Sequence, residues 1–228
     1  LNMSIVENEI NHTNELRTDP ITILENRKKT LERVHANFLP ELHLIGSIIS
    51  GSDLIRDFTE GAYLRYKIEY GTACEHISGD LIGQTHIAYK HNILSYNTLT
   101  YNHPIDIHLA ELGISGNKPP LILIQCTRVD WHGRRLISGY GFAHIPTTNG
   151  YNKITIPLWR PTGSLEEELD SYFVGRSSAL INSDPIYETA WKDRCRLVTT
   201  TAGEITIELY TITRHTKLQG IDSNNNLK

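Results

Sequence analysis

The sequence predicts an all-β chain, an antiparallel β-sandwich with one short inserted helix, preceded by an N-terminal amphipathic helix. Three observations carry this. From Leu42 onward apolar residues recur at every second position, the connections carry Gly, Pro, Asn and Asp, and no helix alternates with the strands as a parallel sheet requires. The 228 residues, 39% hydrophobic and 21% charged, suit one globular domain with short extensions.

The first element is the N-terminal helix. Asp19 suits an N-cap, Pro20 suits the first helical position, and Leu24, Leu31, Val34 and Phe38 follow at helical spacing, so 20–38 reads as amphipathic. Such a helix either docks a partner or packs on its own domain, and the second is commoner. Strands follow. In 62–70 Ala62, Leu64, Tyr66, Ile68 and Tyr70 alternate with polar or exposed-type residues, and in 204–213 Ile205, Ile207 and Leu209 do the same. Runs at 42–49, 121–129, 135–145, 152–158 and 194–201 bring the expected total to seven or eight strands, which pack as a sandwich. Between Gly163 and Gly175 the period returns to helical. Ser164 and Glu167 form a capping box, and Leu165, Leu169 and Phe173 share a face. The acidic run 166–170 on this helix reads as a solvated face. The expected organisation is an extension over 1–38, a domain over 39–214 and an Asn-rich, disordered tail over 215–228.

Charge and composition narrow the function. With 22 Lys+Arg against 26 Asp+Glu, a net charge of -4 lacks the basic field that nucleic-acid binding needs, so no nucleic acid is expected. The longest aliphatic run, 121–124, is far short of the roughly 18 apolar residues of a spanning helix, and the polar, acidic opening 1–12 does not resemble a secretory signal. Cys74, Cys126 and Cys195 are odd in number and far apart. They offer neither a disulfide framework nor a metal knuckle, and a reducing, cytoplasmic setting is expected.

Catalytic constellations are scarce. His103-Pro104-Ile105-Asp106-Ile107-His108 contains metal-ligand types, and Asp106 and His108, with His144 from a later strand, would form a two-His-one-carboxylate set. The order of these residues does not follow the spacing of jelly-roll oxygenases, and an Asp at a strand entry after proline is the plainer reading. Cys126 sits in an apolar run, and Cys74 has only His76 nearby as a base. Gly139-Tyr140-Gly141-Phe142 lies in a strand with no helix after it, so close packing or a bulge explains it better than a phosphate cradle. Calcium would need several carboxylates close together; Asp53, Asp57 and Glu60 in one loop and Asp130 in another are a poor set. No enzyme activity and no cofactor are expected. The loop holding Arg128, Trp131, His132, Arg134 and Arg135 joins an aromatic to a small basic cluster suited to anionic headgroups or an acidic partner. Its three arginines fall below the roughly four to eight basic residues of polybasic lipid recognition.

Several short motifs occur in one order: Leu42-His43-Leu44-Ile45-Gly46, Gly83-Gln84-Thr85, His103-Pro104-Ile105-Asp106, Gly139 to Pro146, Trp159-Arg160-Pro161-Thr162-Gly163-Ser164, Phe173-Val174-Gly175 and Thr201-Ala202-Gly203. Together they resemble the B9-domain family over about 39–214. The resemblance implies a C2-like, non-enzymatic domain in the Meckel-syndrome, or tectonic-like, complex of the ciliary transition zone. The implied partners are other B9-domain proteins, namely B9 domain-containing protein 1 and Meckel syndrome type 1 protein, with at most weak membrane contact. The implied setting is the cilium base, transition zone and basal body, within the cytoskeleton. For such a scaffold Trp131, Trp159 and Arg160 are candidate interface anchors, because Trp and Arg dominate hot spots. The competing role for Trp159 is to close the core before Pro161, and for Trp131 to cap a sandwich end. A stand-alone, calcium-independent lipid-binding module is the alternative function, and a metal-dependent enzyme the third. The extension before Leu42 departs from short members of the family.

Overall fold

The computed structural model describes residues 20–36, 39–55, 59–71, 74–90, 98–111, 119–164, 166, 169, 173 and 198–215. One helix, α1 (Pro20–Ala36), precedes ten strands: β1 (Glu41–Ser52), β2 (Gly61–Glu69), β3 (Cys74–Gly79), β4 (Ile82–Gln84), β5 (Ala88–Tyr89), β6 (Thr98–Glu111), β7 (Leu121–Val129), β8 (Arg135–His144), β9 (Gly150–Pro161) and β10 (Thr199–Arg214). They pair antiparallel in the order β3-β6-β1-β10-β9-β8-β7-β2-β4, with β5 beside the start of β2. Between β8 and β9 the ladder narrows to one pair, Tyr140 with Trp159. There the sheet turns on itself. Its two halves face each other over a single core in which Leu44, Ile107 and Ile207 of one half join Leu64, Ile124 and Cys126 of the other.

Period-two patterning drives this arrangement. Ile205, Ile207 and Leu209 of β10 are buried at 0–1% exposure while Tyr210 and Ile212 face solvent. Each buried Ile or Leu contributes about 1.5–3 kcal/mol relative to exposure, so a one-residue slip, which would turn every buried side chain of a strand to the other face, is strongly disfavoured. Gly139 and Gly141 occupy the inner face of β8, where an added Cβ would run into Leu158, and a register shift sits between Cys126 and Thr127 opposite them. Close packing and a bulge thus both account for the glycine-rich stretch.

The structure departs from the sequence expectation in its strands, beginning with β6 and β10. Strand β6, fourteen residues long, is missing from the expected runs, where only a strand entry at Asp106 after Pro104 was read, and it begins well before that proline. Pro104 pairs with Ser47 of β1 but lies past the residues of β6 that β3 covers, so its missing N–H faces no described strand. The runs 194–201 and 204–213 are not separate strands where described: Thr199 to Arg214 is one strand, with a register shift between Thr201 and Glu204. Helix α1 ends at Ala36, and Phe38 lies outside the described residues. Of the inserted helix, Glu166, Leu169 and Phe173 are helical, with Leu169 and Phe173 exposed at 49% and 73%, and Leu165 and the capping partner Glu167 lie outside the described residues.

Helix α1 lies on the outer face of the sheet at its β3–β6 edge. Val34 is fully buried with Ile77 and Ala110, Leu31 and Leu39 pack against them, and Arg33 is paired with Glu75. Its first turns are different. Ile21 and Leu24 are 70% and 64% exposed, so only the C-terminal end of the apolar stripe is used by the domain. Among the described residues no helix is long and apolar enough to cross a membrane.

Candidate functional site

The basic-aromatic loop is the turn between β7 and β8. Asp130 organises it: Oδ1 accepts the N–H groups of His132 (2.9 Å) and Arg134 (2.8 Å), and Oδ2 accepts Arg134 Nε at 2.7 Å. The Asp130 carbonyl accepts the Gly133 N–H at 2.9 Å, which closes a β-turn with Asp in its favoured first position. Desolvation, the largest single influence, raises the Asp130 carboxyl, but the hydrogen bonds and charge of Arg134 with the His132 N–H together hold it below its ordinary value. Trp131 projects from the tip, 72% exposed, with the His132 ring against it at 3.4 Å between centroids.

Burial redistributes the predicted arginines. Arg128 is 8% exposed and its Nε lies 3.3 Å from Glu60 Oε1, so it is a buried ion pair beneath the loop and is corrected as a contact residue. Arg134 is committed to Asp130, and Arg135 is exposed at the start of β8. Of the residues weighed and set aside for calcium, Glu60 is paired in this way, Asp57 lies outside the described residues, and Asp53 sits in the turn after β1.

Trp159 is half-buried on the outer face of β9 against Tyr140, at 5.9 Å between rings, in a small cluster with Leu123. Its Nε1 is buried and has no hydrogen-bond partner among the described residues. Trp131 and Trp159 therefore stand in unlike settings, one in water and one packed. Arg160 is half-buried and, as the next strand residue, points to the opposite face.

The two-His-one-carboxylate set weighed from the sequence, and not favoured there, does not assemble. Asp106 sits on β6 and His144 on β8, with β1, β10 and β9 between them. His108 faces other donors instead. It lies directly opposite His43 of β1, the rings stack at 3.7 Å and 20°, and Glu41 shares their face. Glu41 Oε2 is 3.0 Å from His108 Nε2 and 3.6 Å from His43 Nε2, while Oε1 is 3.8 Å from Arg214. Cross-strand register brings these residues together from sequence positions far apart.

Register also builds an apolar surface that the sequence pattern did not reveal. Ile45 is opposite Tyr210, Tyr210 is opposite Tyr151, and Ile212 is opposite His43. These four apolar side chains are 45–55% exposed on the outer face of three central strands, with the Tyr151 and Tyr210 rings 5.3 Å apart. Their strand alternation was legible. Which outward residues meet was not.

The two described cysteines stand in unlike settings. Burial pushes the Cys126 thiol up to about 12, so it stays protonated as a core hydrophobe. Cys74 is half-buried on β3, and the imidazole of His76 is bonded to the Gly79 carbonyl at 2.9 Å. Cys195 lies outside the described residues.

The family model described as "Ciliary basal body-associated, B9 protein" matches residues 42–212. The chain belongs to the B9 family. B9 domain-containing protein 2 of Bos taurus is 34% identical over 186 residues, covering 81% of this chain and 99% of that protein, and the Homo sapiens protein matches to the same extent. B9 domain-containing protein 1 of Mus musculus is 26% identical over 71% of this chain and 77% of its own length. A C2 domain of plant extended synaptotagmin 1 aligns over 76% of this chain and 94% of its own at 9% identity, with a TM-score of 0.38.

The motifs that mark the B9 resemblance hold up the fold more than they furnish a surface. Thr85 is buried, accepts the Leu64 N–H at 3.0 Å and donates to the His86 carbonyl at 2.9 Å, and Gln84 accepts from Arg65 Nε at 3.1 Å. Ile105 enters the core. His103 packs edge-on to Tyr66, and burial, aided by His86, holds its imidazole below the usual range. In the described part of this B9 domain, the Ile45–Tyr210 face and the Trp131 tip are among the exposed apolar surfaces, with Ile82 and Tyr89 beside β2 and Ile21 and Leu24 on α1.

Proposed function

We propose that the chain is a non-enzymatic structural subunit of the ciliary transition-zone complex, which binds other B9-domain proteins and thereby supports cilium assembly and the ciliary gate. The observation that carries the reading is the exposed face of Ile45, Tyr151, Tyr210 and Ile212. Aromatic and aliphatic side chains held on a rigid sheet bury area at little entropic cost, which suits a stable contact. B9 domain-containing protein 1 and Meckel syndrome type 1 protein are the partners this reading assigns to that face. The Trp131 tip, with His132, Arg134 and Arg135, is a second, smaller contact, and Trp159, packed against Tyr140 on the outer face of β9, braces the sheet there while Arg160 faces the other way. The site of action on this reading is the cilium base, at the basal body and transition zone.

Lipid binding by the domain alone is the weaker alternative. Of the arginines proposed for it, Arg128 and Arg134 already face carboxylates, which leaves Trp131 and Arg135 with too little charge for polybasic recognition. Direct binding decides between these readings. The purified full chain is expected to bind purified B9 domain-containing protein 1 in calorimetry and to stay in the supernatant when vesicles of anionic lipid are sedimented; co-sedimentation with vesicles without protein binding would reverse the assignment.

A further inference from the structure

We propose that Glu41, His43 and His108 form a Zn²⁺-class metal site on the outer face of the sheet, beside the C-terminal end of α1. The proposal stands on this chain's own geometry and is independent of the ciliary reading. Glu41 and His43 are two residues apart on β1 and so share a face, and His108 is the direct cross-strand partner of His43. All three ligand atoms lie within 4.8 Å of one another, and both imidazole Nε2 atoms converge on a single carboxylate oxygen at 3.0 and 3.6 Å. Tetrahedral zinc with bonds of about 2.0–2.1 Å has ligand–ligand edges of about 3.3–3.4 Å, which those two separations bracket, and a side-chain rotation that unstacks the near-parallel rings (20°) is needed to turn both Nε2 lone pairs onto one ion. Two neutral imidazoles and a carboxylate are the borderline donors that Zn²⁺ takes, and water completes the fourth position.

The surroundings suit retention of an ion. Glu41 is 2% exposed and His108 9%, and their strands are fixed by pairing on both sides: β1 between β6 and β10, β6 between β1 and β3. Arg214 faces Oε1 of Glu41, which leaves Oε2 toward the imidazoles. Each histidine would coordinate through its Nε2 lone pair with the proton kept on Nδ1. A neutral Nε2–H imidazole only changes tautomer as the ion enters, with its proton passing to Nδ1 and no net release, whereas a doubly protonated imidazole must give up its Nε2 proton to solvent, so binding weakens in acid.

The test uses the untagged full chain, stripped with a chelator and titrated with zinc chloride by calorimetry against a competing chelator. One equivalent is expected to bind, and Co²⁺ in its place is expected to give the visible absorption of a tetrahedral ion. Glu41→Gln and His43→Gln should each lose more affinity than the roughly 10–100-fold that loss of an outer-shell partner costs, while His132→Gln leaves it unchanged. His43 is the most exposed of the three ligands, so its variant tests the site even if substitution of His108 prevents folding. Absence of saturable binding to the wild-type chain, binding that survives in folded His43→Gln, or octahedral Co²⁺ alone would overturn the proposal.

Discussion

Asp130 shows how much one carboxylate does in this chain. It receives two backbone N–H groups and the Arg134 guanidinium, so its charged form is favoured in the folded state and its carboxyl titrates below the ordinary value of 3.8. A depressed acid pKa contributes stability that is present above the unfolded value and is lost as pH falls through the folded value. The turn that carries Trp131 should therefore keep its geometry on acidification to the ordinary carboxylate range and loosen only below it. A carboxyl-carbon NMR titration checks this: a midpoint under 3.8 is expected, and one at or above it would show that the hydrogen bonds do not favour the charged form. The Arg128–Glu60 pair makes a second residue-level prediction. Both side chains are largely buried, so removing one partner strands a charge and costs about 3–5 kcal/mol, whereas exchanging both for apolar residues of similar volume should cost far less. Chemical denaturation of Glu60→Gln and of the double variant Arg128→Met, Glu60→Leu measures the difference.

At the scale of elements, helix α1 separates into a docked end and a free end. Val34 is buried under Ile77 and Ala110 while Leu24 is exposed. Val34→Asp should undock the helix and expose 20–36 to protease, while the thermal midpoint of the sheet falls only modestly, because the main core contains no α1 residue. Loss of the whole cooperative transition would show instead that the helix belongs to the core. The strands differ in how well the sequence announced them. β2, β7, β8 and β9 were legible because alternation or an apolar run marked each one, and Gly139 and Gly141 were correctly read as packing. Of β6 only the entry at Asp106 after Pro104 was legible; the proline is tolerated because β3 is too short to reach it, and a strand's length is a property of the fold rather than of its pattern. β3, β4 and β5 were missed because two to six residues are too few for a period to emerge. The expected site was partly legible for a similar reason. Trp131 and Arg135 lie on a turn whose exposure can be guessed from local sequence, but Glu60 beneath Arg128, Glu41 beneath His108 and the meeting of Ile45 with Tyr210 depend on register, which no local window contains.

The molecule as a whole is a curled sheet with an apolar core, an outer face partly covered by α1 and partly open, and a rigid hairpin at one tip. On the proposed reading such an object acts through shape, and its binding energetics should concentrate in the aromatic members of the open face. Tyr210→Ala is expected to weaken binding to B9 domain-containing protein 1 by about 2 kcal/mol, roughly 30-fold in Kd, with little effect on stability because the side chain is 55% exposed in the isolated chain. Trp131→Ala should have a smaller effect on the same affinity. The most direct measurement of the central claim is affinity purification of the tagged chain from ciliated cells, wild type beside Tyr210→Asp, with mass spectrometry of what is recovered and imaging of where the chain resides. The account predicts that the wild type brings down B9 domain-containing protein 1 and Meckel syndrome type 1 protein and concentrates at the ciliary base, and that Tyr210→Asp loses both proteins while remaining folded. Recovery of neither protein with the wild type, or equal recovery with the variant, would contradict it.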